Sequence, residues 1–195
     1  AAALSLLTKL RECATAAQLA DPAVHSSSKL RELPNLVSEI ASAGHKMLIF
    51  SQWARMTRYA QEVLTAKGWK TVRLHGGLSM RERTRIIDSF TNDPEVKAFI
   101  STDAGGLGLN LQVASFVINL DLPWNPAKVE QRIGRAHRSG QTKTVNVINM
   151  IAPKTIAQRD LHVLYRKQGL FDEMLDIDLA PAKDTRVNAQ RYPTQ

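Results

Sequence analysis

Gln131-Arg-Ile-Gly-Arg-Ala-His-Arg-Ser-Gly-Gln141 is the stretch from which the rest of the chain becomes readable. It follows Trp124-Asn125-Pro126, where Asn125 suits a helix N-cap and Pro126 the first helical position, so a helix is predicted over 126–137. On that helix Gln131, Arg135 and Arg138 recur at spacings of four and three and share one face. The stretch offers only Glu130 as a nearby acid. An anion supplied from elsewhere would relieve the repulsion between the arginines, and planar guanidinium forks suit phosphate oxygens. Gly134, beside them, leaves room for close approach. A solvated basic helix face would also carry arginines. The pattern Gln-x-x-Gly-Arg-x-x-Arg-x-Gly-Gln is far more specific than a charge run.

Away from this helix, short β-rich runs alternate with longer amphipathic ones. Strands are predicted at 46–50, 71–74, 97–101, 116–120 and 144–151, and helices at 28–43, 53–67, 80–90, 126–137 and 156–167. Gly44 and Gly68 stand where glycines end helices. Ser79-x-x-Glu82 and Thr155-x-x-Gln158 read as capping boxes. Pro34 is awkward for the first of these helices, which either kinks there or begins later. The alternation implies an α/β fold with a parallel sheet covered on both faces. Strand order is not contained in the pattern.

A length of 195 residues suits one domain with an appended helical piece, and 44% hydrophobic residues supply a sizeable core. Lysines and arginines number 26 against 18 acids, a net charge of +8 that favours a polyanionic partner. Cys13 is the only cysteine, which rules out an internal disulfide and points to a reducing compartment. No apolar run approaches membrane-spanning length, and no membrane partner is expected. Leu4, Leu6, Leu7 and Leu10 form a helix stripe rather than a secretion signal. The start without methionine reads as a piece of a larger protein. The expected division is an N-terminal helix and linker at 1–28, the main lobe at 29–153, bracing helices at 154–178 and a mobile tail at 179–195.

Several chemistries are disfavoured. No Gly-x-x-x-x-Gly-Lys-Ser/Thr loop occurs, so the usual cradle for β- and γ-phosphates is missing. Asp172-Glu173 lies among Leu170, Phe171, Met174 and Leu175, which suits a packing turn better than a metal box. The five histidines and single cysteine lack metal-ligand spacing, and no metal site is expected. Gly106-Leu-Gly108 begins like a dinucleotide fingerprint, but Leu111 stands where the third glycine belongs. The segment is either a tight turn whose amides face an anion or a turn needed for packing.

Taken in order, these blocks resemble the motifs of superfamily 2 helicases in the form carried by Swi/Snf-type DNA translocases. Met47-Leu-Ile-Phe-Ser-Gln-Trp53 is similar to the fourth motif, and Arg73-Leu-His-Gly-Gly77 to the element that follows it. Ser101-Thr-Asp-Ala-Gly-Gly-Leu-Gly-Leu-Asn-Leu111 is similar to the fifth motif. Asp121-Leu-Pro-Trp-Asn-Pro-Ala127 is similar to the Asp-x-x-Trp-Asn-Pro segment, and 131–141 to the sixth motif. The likeness runs from about Lys29 to Leu175.

The resemblance implies a three-layer RecA-like α/β fold, the second of two helicase lobes. It implies the C-terminal motor lobe of an ATP-dependent double-stranded DNA translocase or remodeller. ATP and Mg²⁺ would be held by an N-terminal lobe of the same protein; this lobe alone would bind neither and would be inactive as an ATPase. Arg135 and Arg138 would act as arginine fingers with Gln131 orienting the phosphates or their water, and Gly106, Gly108 and Gly134 would face the nucleotide. Thr102 would touch a DNA phosphate. Trp124 would face DNA, although an isolated aromatic can equally seal a core. Gln52, His75, Gly76 and Lys128 would add DNA contacts, with buried hydrogen-bonding roles explaining Gln52 and His75 equally well. Asp103 departs from the arginine of many eukaryotic members; an acid cannot serve a phosphate there and instead suits a cap on the following turn.

Other classes compete: an RNA-directed superfamily 2 helicase, or a non-catalytic nucleic-acid-binding module. The partners implied are duplex DNA, the N-terminal lobe and a DNA-bound protein substrate. The short spacing between the fifth and sixth motifs favours a bacterial cytoplasm over a nucleus.

Overall fold

The structure, a computed structural model, describes residues 2–24, 26–105, 108–137, 144–158, 160–161, 180–181 and 186–192. The elements run α1 (Ala2–Thr15), α2 (Ala17–Ala20), α3 (Ser28–Ser42), β1 (Met47–Phe50), α4 (Ala54–Ala66), β2 (Thr71–Leu74), α5 (Met80–Asn92), β3 (Ala98–Ser101), β4 (Phe116–Asn119), α6 (Pro126–Ile133), β5 (Val145–Ile151), β6 (Ala180–Pro181) and β7 (Arg186–Tyr192).

The strands lie in the order β2-β3-β1-β4-β5-β7-β6. The first five are mutually parallel. Every residue of β1 and β3 is buried, the signature of strands covered on both faces. The two-residue period of a strand divides their side chains between two cores. Leu48, Phe50, Phe99 and Val117 pack with Phe90 of α5 and with Val129 and Ile133 of α6. Met47, Ile49, Ile100 and Ile118 pack with Leu33 and Val37 of α3 and with Met56 and Leu64 of α4. The result is the three-layer, RecA-like arrangement anticipated from the alternation and the resemblance.

Local chemistry fixes the helix ends. Ser27 Oγ accepts from Leu30 N at the start of α3, which then runs through Pro34 to Ser42. Gly44 and Gly68 both take φ +82°, closing α3 and α4 with paired bonds (His45 N to Ile40 O, Trp69 N to Leu64 O) that no other residue type makes as cheaply. The Ser79–Glu82 capping box forms in full. At Thr155 the reciprocal bond shifts by one residue: Thr155 Oγ1 accepts from Ala157 N, while Gln158 Oε1 accepts from Lys154 N.

Two elements differ from expectation. The helix at Pro126 ends at Ile133, four residues early, because Gly134 becomes its C-cap and the next amides fold back to closer carbonyls (Arg135 N to Arg132 O, Ala136 N to Ile133 O). Where a mobile tail is predicted, β7 pairs antiparallel with β5 from Val145–Tyr192 to Ile151–Arg186. That pairing covers the edge that β5 would otherwise expose. Residues 156–158 and 160–161 are helical; 162–179, with Asp172 and Glu173, lie outside the described residues. No described helix is long and apolar enough to cross a membrane.

Candidate functional site

Strands β1 and β4 are neighbours, yet the helices that follow them leave toward opposite faces, α4 onto one core and α6 onto the other. Such a divergence opens a crevice at the carboxyl ends of the strands, where open α/β sheets bind their ligands. The loops that rim this edge carry Gln52 after β1, His75 and Gly76 after β2, Thr102 after β3 and Trp124 after β4. Gln131 and Lys128 are exposed on α6, and Arg135 is half-buried in the turn just beyond it.

Beneath the crevice lies a buried ionic cluster that the sequence did not disclose. Arg132, on the inward face of α6, is only 2% exposed. All five of its N–H bonds are committed. Nε donates to Asp103 Oδ1, and one terminal nitrogen to Asp103 Oδ2 at 3.2 Å and Asp121 Oδ1 at 3.4 Å. The other terminal nitrogen donates to Asn119 Oδ1 at 3.0 Å and to the Asp121 carbonyl at 2.7 Å. Asp121 also accepts from Ser51 Oγ and, at 3.0 Å, from Gln52 N, so it spans the crevice from β4 to β1. Lys29 of α3 donates to the Leu120 carbonyl at 2.7 Å. The cluster thus holds two cations and two carboxylates and is neutral as a set, which is the condition for burying charge at tolerable cost.

Asp103 does not cap the turn that follows it, as its sequence position suggested. That task falls to Thr102, whose Oγ1 accepts from Gly105 N at 3.2 Å, leaving its O–H bond to donate. Asp103 turns down onto Arg132 instead, because a bidentate guanidinium is a stronger partner than one backbone amide. Within the fifth motif, packing requires Gly105 itself: a Cβ there would meet Ser101 Oγ at 2.7 Å and the Leu74 carbonyl at 3.2 Å. Gly108 takes φ +77° with open space around it, a conformation that glycine adopts without strain. Gly106 and Arg138 lie outside the described residues.

Trp124 is 56% exposed, so it stands in solvent and does not seal the core. Gln52 is half-buried and gives its backbone amide to Asp121. His75 is half-buried, its Nδ1 accepting from Gly77 N, and Gly76 is exposed with open space where a Cβ would stand. A Cβ at Gly134, the C-cap of α6, would press on the Glu130 carbonyl at 3.2 Å.

Burial pushes the Lys29 ammonium down to about 8, with the Asp121 carboxylate opposing part of that shift. Between this value and the ordinary lysine value near ~10.4, the unfolded chain holds the proton more tightly than the folded one. Folding stability contributed at this position therefore rises as pH climbs through that window, by on the order of 3 kcal/mol, and is flat below it. In urea unfolding at pH 7.5 and pH 10, the stability of the unaltered chain relative to Lys29→Met should shift in favour of the lysine. A difference independent of pH would contradict this placement of the ammonium.

The helicase conserved C-terminal domain family matches residues 28–140. The chromatin-remodelling ATPase INO80 of Candida albicans is 38% identical over 151 residues, 77% of this chain and 11% of that protein. INO80 of Aspergillus oryzae is 40% identical over 151 residues, covering 77% of this chain and 10% of that protein. The uncharacterised ATP-dependent helicase YqhH of Bacillus subtilis is 36% identical over 152 residues, 78% of this chain and 26% of that protein. The crystal structure of the C-terminal part of the Fun30 ATPase domain superposes with a TM-score of 0.67 at 34% identity, covering 71% of this chain and 46% of the other. The chain thus spans about a quarter or less of these curated relatives. The fungal matches, chromatin remodellers by name, overturn the preference for a bacterial cytoplasm. That preference rested on the spacing between two motifs, which sets a loop length and carries no information about compartment.

Proposed function

The chain belongs to the helicase conserved C-terminal domain family, in its Swi/Snf branch, and on that premise we propose that it is the C-terminal motor lobe of a duplex-DNA translocase that remodels DNA-bound protein. One observation supports the proposal: four loops at the carboxyl edge of the sheet carry Gln52, His75, Gly76, Thr102 and Trp124 on a single rim, and α6, which starts beside them, carries Gln131 and leads into Arg135.

That rim and the residues on and after α6 suit different ligands. Thr102 O–H, exposed Lys128, the Gly76 backbone and the exposed ring of Trp124 offer donors and an apolar surface to a sugar-phosphate strand. Arg135 and Gln131 offer a guanidinium fork and an amide to a polyphosphate. Arg132 is occupied in all five donors and is therefore structural, and the family resemblance assigns the anion to the motif's other arginines, Arg135 and Arg138. ATP with Mg²⁺, bound by an N-terminal lobe, supplies the phosphoryl group that is transferred to water. Arg135 and Arg138 neutralise the charge that grows on that group, Gln131 orients it, and Gly108 and Gly134 allow the approach. Closure of the lobes aligns these side chains and opening withdraws them, so alternate grips on the DNA backbone become steps. The chain alone hydrolyses no ATP.

The test is ATP turnover by the full-length protein in the presence of duplex DNA or single-stranded RNA. Duplex DNA should stimulate turnover at least tenfold more than RNA. Stronger stimulation by RNA would favour the RNA-directed class, and no turnover under any condition would favour a binding module.

A further inference from the structure

We propose that the groove between α3 and α4 is a docking site for an acidic segment of a partner protein, anchored there by one bulky apolar or aromatic side chain.

These two helices cover the sheet face opposite α6, and neither the rim residues nor those of the sixth motif line the groove. Its volume of about 480 Å³ lies within the range of ligand sites, about 300–1,000 Å³. Leu30 and Pro34 of α3 line it as buried residues, and Val63 and Ala66 of α4 as more exposed ones. The lining therefore offers an apolar bed between two helices. Pro34 adds a polar feature to it. A proline has no N–H to give to the carbonyl four residues back, so the Leu30 oxygen loses its helical donor beside the groove. An indole or amide N–H entering between the helices supplies one.

Charge then selects the partner. Exposed Arg31 of α3 and exposed Lys67 of α4 bring a cation from each helix, and no described residue lining the groove is an acid. Glu62, beside Val63, is engaged with Arg58 at 3.7 Å. At the same place α3 begins with no acid in its first turn, so the positive end of its dipole adds to the two cations. A nucleic-acid backbone would meet the cations and leave the apolar lining against water. A peptide with carboxylates on both sides of an apolar anchor satisfies both, which is the usual division between the centre and the rim of an interface.

The experiment is a fluorescence-anisotropy titration of the full-length protein against a labelled synthetic peptide of aspartates and glutamates around one central tryptophan. Ala66→Glu and Lys67→Glu alter exposed positions, and each should weaken binding at least tenfold with an unchanged melting temperature. Arg81→Glu, on exposed α5 in the other helical layer, makes the same change of charge as Lys67→Glu and should leave binding within twofold. Replacing the peptide's tryptophan by alanine should also weaken binding at least tenfold. Equal weakening by Arg81→Glu would reduce the effect to general attraction of a basic protein for an acid and overturn the site. Binding indifferent to the tryptophan, or absent up to about 1 mM peptide, would overturn it as well. So would displacement of the peptide by single-stranded DNA whose own affinity falls with Lys67→Glu, since nucleic acid would then be the occupant.

Discussion

Arg135→Ala in the full-length protein is expected to lower DNA-stimulated ATP turnover by on the order of a thousandfold, with little change in the KM for ATP. An arginine finger acts on charge that exists fully only in the transition state, so its loss falls on kcat. The fold should survive. It is the backbone carbonyl of Arg135, which alanine retains, that anchors Leu111 N. Arg138→Ala should behave alike if both arginines of the motif reach the phosphoryl group. A loss expressed mainly in KM would instead place Arg135 in ground-state binding of the nucleotide. Near-normal turnover in both variants would remove the finger assignment.

The largest expected effect on stability lies at Asp121. Asp121→Ala strips the buried cluster of one of its two carboxylates and leaves Lys29 and Arg132 with only Asp103 between them. It also removes the acceptor of the Ser51 O–H and of the Gln52 amide. Breaking a buried pair in this way costs about 3–5 kcal/mol, which for a chain of this size lowers the melting temperature by roughly 10 °C or more. Asp121→Asn, which keeps the shape and one acceptor, should cost about half as much by the same reasoning. The two can be compared by thermal unfolding followed by circular dichroism. A loss below about 1 kcal/mol for the alanine variant would mean that water reaches the cluster and that its charges are screened.

The contrast between these sites shows what the sequence could and could not disclose. The five parallel strands start and stop within one residue of expectation, because each is a short run rich in β-branched and apolar residues flanked by glycine or polar turns and needs no tertiary information to be recognised. The rim residues were legible for the same reason: they sit in loops directly after those runs. Their order across the sheet was not legible, since periodicity reports which face a residue takes and not which strand lies beside it. The buried cluster was hidden more deeply. Lys29 meets Leu120 across 91 positions and Ser51 meets Asp121 across 70, so no local window contains both halves.

One signal was nevertheless present. Val129, Arg132, Ile133 and Ala136 fall on a single helical stripe, and an arginine on an otherwise apolar stripe demands acids from elsewhere. The acid that meets this cation is Asp103, 29 positions away, whose place in the sequence equally suits a turn cap. β7 is hidden for a different reason: Arg186–Tyr192 has only Val187, Ala189 and Tyr192 as apolar or aromatic residues, too few to read as a strand until the edge of β5 is known to need a partner.

The most direct measurement is a structure of the full-length protein with a non-hydrolysable ATP analogue and duplex DNA. The expected result places the Arg135 guanidinium within hydrogen-bonding distance of the γ-phosphate held by the opposite lobe, with Trp124 and Thr102 against the DNA backbone. An Arg135 directed into bulk water, with the analogue bound and the lobes closed around it, would contradict the motor function at its centre.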